Sequence, residues 1–153
     1  MSADKESVID EPTGRIMSKI SKMFLANLQQ HLSHLDIERS FYPLLLIEAG
    51  KGKLTQQELA NKLSCDKVQV VRIIDYLSLN GYVERIQNPK DRREYELSIT
   101  DKANKVIPDI KTVLQKVSGI ALQGLSQEQV GELYSMLRLI EKNLLSHKIH
   151  STK

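Results

Sequence analysis

The spacing of apolar residues changes character along this chain, and each change marks an element. From Pro12 to Leu35, the residues Ile16, Ile20, Met23, Phe24, Leu28, Leu32 and Leu35 stand three or four apart, which predicts a long helix with one apolar stripe. Asp36-Ile37-Glu38 interrupts the stripe, and a shorter helix is predicted from about Arg39 to Ala49. Its Phe41, Leu44, Leu45, Leu46 and Ile47 are too continuous for a surface helix and call for near-complete enclosure. Pro43 falls early enough to be tolerated, and Gly50-Lys51-Gly52 ends the helix.

Thr55-Gln56-Gln57-Glu58 then reads as a capping box, opening a short helix that carries Leu59, Ala60 and Leu63. Ser64-Cys65 breaks that helix, and Asp66 is placed to cap another from Lys67 to Asn80, with Val70, Ile73, Ile74 and Leu77 inward and Gly81 as its stop. Two strands are predicted next, Tyr82 to Gln87 and Tyr95 to Ile99. In the second, Tyr95, Leu97 and Ile99 alternate with Glu94, Glu96 and Ser98. The charged turn Asn88-Pro89-Lys90-Asp91-Arg92-Arg93 joins them. Thr100 caps a further helix, in which Pro108 is expected to cause a kink. Ser126 caps the last helix, which runs to about His147 with Val130, Leu133, Leu137, Ile140 and Leu144 in the 3, 4, 3, 4 spacing of a coiled-coil seam.

The central order of helix, turn, helix, strand, charged turn, strand is that of a helix-turn-helix followed by a wing. In such a module one helix crosses the phosphate backbone, the next enters the major groove, and the hairpin reaches a neighbouring minor groove. On the outward face of the second helix, Gln69 suits adenine, Arg72 guanine or phosphate, Lys67 phosphate, and Val68 or Val71 a thymine methyl. The two valines could instead pack on a neighbouring element.

Composition alone says less. The 153 residues carry 22 Lys plus Arg against 19 Asp plus Glu, a net charge of +3, which does not by itself announce a nucleic-acid binder. The distribution is more informative, because Lys67, Arg72, Lys90, Arg92 and Arg93 gather on the second helix and the wing tip. A dimer would double the sum to about +6. Cys65 is the only cysteine, so no intrachain disulfide is available, and the chain is expected to be soluble and cytoplasmic, with no apolar run near the ~20 residues of a membrane span.

Leu54-Thr55-Gln56-Gln57-Glu58-Leu59-Ala60, the stretch Leu77-Ser78-Leu79-Asn80-Gly81-Tyr82-Val83-Glu84-Arg85, and Asp91-Arg92-Arg93 leading to Leu97-Ser98-Ile99-Thr100 resemble the MarR family of bacterial transcriptional regulators. The resemblance covers about residues 14 to 147 and is densest from Leu54 to Thr100, the wing's Asp-x-Arg being its most specific mark. It implies a mainly α fold with a small two- or three-stranded β wing. The expected organisation is a flexible N-terminus over 1–11, a DNA-binding lobe over 37–99, and dimerisation helices over 12–36 and 100–148. By this resemblance Arg93 enters the minor groove, Asp91 orients the wing, and Lys90, Arg92 and the capping Thr55 join the DNA-binding set with Lys67, Val68, Gln69, Val71 and Arg72. The family commonly has hydroxyl residues where this chain has Val68, Val71 and Asp66, so the groove face differs.

The apolar stripes of the first and last helices would be exposed in a monomer. Ile16, Ile20, Leu133, Leu137, Ile140 and Leu144 are therefore expected to form a homodimer interface, with an intrachain bundle as the other option. The resemblance also implies release from DNA by a small aromatic or anionic effector, with Phe24, Leu28, Tyr42 and Leu45 as candidate walls or, alternatively, ordinary core. Cys65, before the second helix, is either a thiol sensor or a small core hydrophobe. His31 with His34, and His147 with His150, could share a helix face toward zinc or simply be solvated, and no metal or cofactor is expected. No catalytic constellation is present in the sequence, so an enzyme is not expected. The reading is a homodimeric repressor acting on a pseudopalindromic DNA operator, the alternative being a winged module that binds a protein partner.

Overall fold

The computed structural model describes residues 11–37 and 40–147. The predicted frayed residues 1–10, the start of the second helix at Arg39, and His150 lie outside the described residues. The chain divides into two compact units, one ending at Val117 and one beginning at Ser118.

The first unit contains α1 (Thr13–His31), α2 (Phe41–Ala49), β1 (Leu54–Thr55), α3 (Gln56–Leu63), α4 (Lys67–Leu79), β2 (Val83–Gln87), β3 (Tyr95–Ile99) and most of α5 (Asp101–Ala121). The strands form an antiparallel sheet in the order β1-β3-β2. Leu54 stands opposite Leu97 at one edge, and Arg85 stands opposite Leu97 at the other. The fold is thus mainly helical with a three-stranded wing. β1 is too short to show any alternation in sequence, and its pairing with β3 supplies the third strand.

One core serves this unit. Leu44 and Ile47 of α2, Leu59 of α3, Val70, Ile74 and Leu77 of α4, Leu97 of β3, and Ala103, Ile107 and Ile110 of α5 are all buried in it. α4 and the wing are therefore mounted on a continuous apolar base, which holds their outward faces in place. Gly50 marks the tightest approach in this unit: a Cβ there would lie 2.5 Å from the Leu54 Cβ.

Several local expectations need correction. α1 ends at His31, not Leu35; the chain turns at Leu32, and Leu32 reaches the core from that turn, where Leu35 N–H bonds the Leu32 carbonyl at 2.9 Å. Tertiary burial of Leu32 and Ile37 outweighs the continued helical spacing. In α2, Phe41, Leu44 and Ile47 are buried as expected, but Leu45 and Leu46 are only half-buried against the core. Pro108 lies inside α5, as its sequence position predicts.

The second unit holds the end of α5 and α6 (Gln127–Ser146). Ser126 caps α6 as predicted, through a box with Gln129 that the structure adds, and no residue of α6 is buried.

Candidate nucleic-acid interface

The two helices of the turn begin at well-formed caps. Thr55 Oγ1 accepts the Glu58 N–H at 3.2 Å, and Glu58 Oε2 accepts the Thr55 N–H at 2.8 Å. The Thr55 hydroxyl also lies 3.2 Å from Glu58 Oε2, so a residue predicted to face DNA has its side chain engaged in the cap. Ser64, at φ 51, turns the chain through the left-handed region. Asp66 Oδ1 then accepts the Gln69 N–H at 2.7 Å and starts α4.

From that cap the outward face of α4 follows. Lys67, Val68, Gln69 and Arg72 are exposed, Val68 by 62%, while Val70, Ile74 and Leu77 are buried and Ile73 is half-buried. Val71 is also half-buried, so the expected pair of exposed valines reduces to Val68.

Local hydrogen bonds shape the wing tip. Asp91 Oδ1 accepts the Arg93 N–H at 3.0 Å and the Asp91 carbonyl accepts the Glu94 N–H at 3.1 Å, which closes a tight turn. Asn88 Oδ1 accepts the Lys90 N–H at 2.9 Å, and Gln87 Nε2 donates to the Arg92 carbonyl at 2.8 Å. Lys90, Arg92 and Arg93 project from this frame as exposed side chains.

A cleft of about 290 Å³ joins these parts, bounded by Gln56 and Gln57 of α3, Lys67 and Val70 of α4, and Asp91, Arg93, Glu94 and Tyr95 of the wing. Gln56, Gln57, Val70, Glu94 and Tyr95 lie outside the set that the sequence assigns to DNA. Strand alternation places Tyr95 inward with Leu97, yet it is 43% exposed. β1 pairs only as far as Glu96, so Tyr95 stands past the end of the three-stranded part, and only its position at the strand end could have signalled this.

The cations are unevenly committed. Arg85 of β2 is paired with Asp75 of α4, a bridge that fixes the wing's base to the helix. Among the described residues, Lys67, Arg72, Lys90, Arg92 and Arg93 take part in no ion pair. They remain available to an external anion, and the arrangement suits a polyanion that passes along α4 and under the wing.

The MarR family model matches residues 44–95, from within α2 through the wing tip. The winged helix-turn-helix is thus similar to that of the MarR family. Along most of its length the chain is also similar to the HTH-type transcriptional regulator BilQ of Clostridioides difficile, at 26% identity over 131 residues, covering 86% of this chain and 88% of that protein. Among solved structures, a MarR transcriptional regulator from Methanosarcina mazei is 26% identical with a TM-score of 0.77, over 87% of this chain and 96% of that one. A cysteine-to-serine mutant of MarR from E. coli, complexed with operator DNA, is 27% identical with the same TM-score of 0.77, over 84% of this chain and 93% of that one.

The other predicted residues fall as follows. Ile16 of α1 is half-buried and Ile20 exposed; on α6, Leu133 and Ile140 are half-buried, and Leu137 and Leu144 are exposed. Of the effector walls, Leu28 and Leu45 pack against the core, Phe24 is half-buried and Tyr42 is exposed. Cys65 is half-buried against the same core. His31 Nδ1 donates to the Asn27 carbonyl and His147 Nδ1 to the Asn143 carbonyl, each at 2.8 Å. No group of three metal-ligating residues occurs among the described residues. No described helix is long and apolar enough to cross a membrane.

Proposed function

We propose that the protein is a homodimeric transcriptional regulator that binds a pseudopalindromic DNA operator in a bacterial cytoplasm, acting as a repressor that a small effector releases. One observation carries the DNA reading: Lys67 of α4 and Arg93 of the wing, neither of them in an ion pair among the described residues, border a single cleft. Its relative in complex with operator DNA adds weight. The activity is regulatory and not enzymatic, in keeping with the MarR-type module.

In this reading α4 lies in the major groove. Gln69 hydrogen-bonds adenine, Arg72 takes guanine or phosphate, and Val68 packs on a thymine methyl, with the half-buried Val71 behind it. Lys67, Lys90 and Arg92 hold phosphates. Arg93 reaches into the minor groove from a turn that Asp91 shapes. Thr55 contributes by fixing the N-terminus of α3, whose first residues face the cleft.

Dimer formation through Ile16, Ile20, Leu133, Leu137, Ile140 and Leu144 is supported by the exposure of apolar residues on α6. Leu144 is 69% exposed, and Met136, Leu139 and Leu145 are also exposed. Burying each such side chain on a partner stabilises by roughly 1.5–3 kcal/mol, so the seam residues of both protomers together offset an association cost of roughly 4–15 kcal/mol. Two protomers then set their α4 helices about one DNA turn apart. The effector is a small aromatic or anionic molecule that meets Tyr42 and Phe24, with Leu28 and Leu45 as the apolar floor.

The test is a mobility shift on the DNA upstream of the protein's own coding sequence. A shift that survives unrelated competitor DNA is expected. Binding indistinguishable from that to an unrelated duplex refutes the reading and favours a protein partner for the wing.

A further inference from the structure

Asp36 lies in the turn between α1 and α2, far in sequence from the groups that gather around it. The Tyr82 hydroxyl donates to its Oδ1, Lys102 Nζ lies 3.3 Å from Oδ2, and the Tyr76 hydroxyl donates to its backbone carbonyl at 3.0 Å. Lys102 also donates to the Asn80 carbonyl at 2.7 Å, at the C-terminus of α4, and stands 4.3 Å above the Tyr82 ring. Beside this group, Thr100 Oγ1 donates to the Gly81 carbonyl at 2.6 Å. The α1–α2 turn, the C-terminus of α4, the chain entering β2 and the first turn of α5 therefore meet at one point.

Stability alone is a poor account of this convergence. The Asp36 and Lys102 side chains are 56% and 47% exposed, and ion pairs at that exposure contribute little. A carboxylate so open to water has no need of these partners. The Tyr82 hydroxyl is nonetheless held as a donor: burial and the adjoining Asp36 carboxylate push its pKa up, and the same hydrogen bond, joined by Lys102, holds the Asp36 carboxyl below its ordinary value.

We propose that Asp36 is a positioning residue for DNA recognition, clamping the C-terminal end of α4 to the start of α5 and so setting the angle at which the reading helix leaves the rest of the protein. The thirteen residues of α4 span about 20 Å, so a tilt of about 5° at the clamp moves the groove-facing N-terminus by about 1.7 Å. No clamp residue belongs to the groove-facing set. A shift of the α4 N-terminus in each protomer registers as a change in the half-site separation that the dimer prefers. This rests on the DNA-binding dimer proposed above.

The experiment uses the full chain, an operator selected from a random duplex pool, and versions of that operator with one base pair added or removed between half-sites. Asp36→Ala removes the carboxylate; Tyr82→Phe removes only the hydroxyl and keeps the buried ring, so it carries the test if the first variant fails to fold. The parent is expected to prefer its own spacing, and both variants to lose about tenfold of that preference with little change in thermal unfolding. A merely structural lesion would weaken all spacings alike. Retention of the parental preference in Tyr82→Phe, or a parent indifferent to spacing, overturns the clamp while leaving DNA binding intact. A parent that binds no duplex overturns both.

Discussion

Removing the two wing arginines together, Arg92→Ala with Arg93→Ala, probes DNA recognition where the geometry is simplest. Their guanidinium groups are exposed and take part in no ion pair among the described residues. The bonds that shape the tip run through their backbone, from Gln87 to the Arg92 carbonyl and from the Arg93 N–H to Asp91, so alanine leaves the tip built. Lys67, Arg72, Lys90, Arg92 and Arg93 give a dimer about ten cations, and at about 0.9 counterions each the slope of log K against log salt is near −9. The double variant brings it to about −5. Between 50 and 200 mM salt the parent then loses affinity by on the order of 10⁵-fold, and the variant by on the order of 10³-fold. Fluorescence anisotropy on a labelled duplex at four salt concentrations reads this directly. A variant with the parent's slope and affinity would show that the wing does not touch DNA.

Further outcomes follow from other parts of the molecule. Arg93→Ala alone should cost operator binding roughly 1–3 kcal/mol, whereas Lys67→Ala should weaken all sequences nearly alike, as titrations against operator and random duplex will report. Leu137→Asp places a charge in the α6 seam and should give monomers or aggregate in sedimentation velocity; a variant that sediments like the parent removes the seam argument. Gly50→Ala drives a Cβ to 2.5 Å from that of Leu54 and should destabilise the winged unit by about 1–3 kcal/mol in urea unfolding. The Asp36 carboxyl is held below its ordinary 3.8, so its contribution to stability, small at this exposure, is present above about pH 4 and is lost as pH falls through the folded-state value. Asp36→Asn should flatten the acid limb of the stability curve only slightly while leaving stability at neutral pH nearly unchanged, and a limb steeper than the parent's would count against the shift.

The readable features of this chain are local ones. Thr55 with Glu58, Ser126 before Gln127, and Asp66 before Lys67 mark helix starts because a cap is complete within four residues. The wing tip is legible for the same reason, its Asp91 to Arg93 bond spanning two residues. What escaped depends on distant partners. Leu32 leaves the α1 stripe because the core takes it up from a turn. Tyr95 shares the face of Leu97 but is exposed because β1 stops one residue short of covering it, and a two-residue strand leaves no alternation to read. Tyr82 looks like a core aromatic and Lys102 like a solvated helix-start lysine until the fold brings both to Asp36, across 46 and 66 residues of chain.

Hydroxyl-radical footprinting of the full-length protein on a duplex selected from a random pool tests the central claim most directly. The account predicts protected patches on both strands, related by a dyad, with half-site centres about 34 Å apart and protected minor-groove sugars where the wings enter. Protection of one unpaired patch, or none at saturating protein, would contradict a dimeric operator-binding regulator.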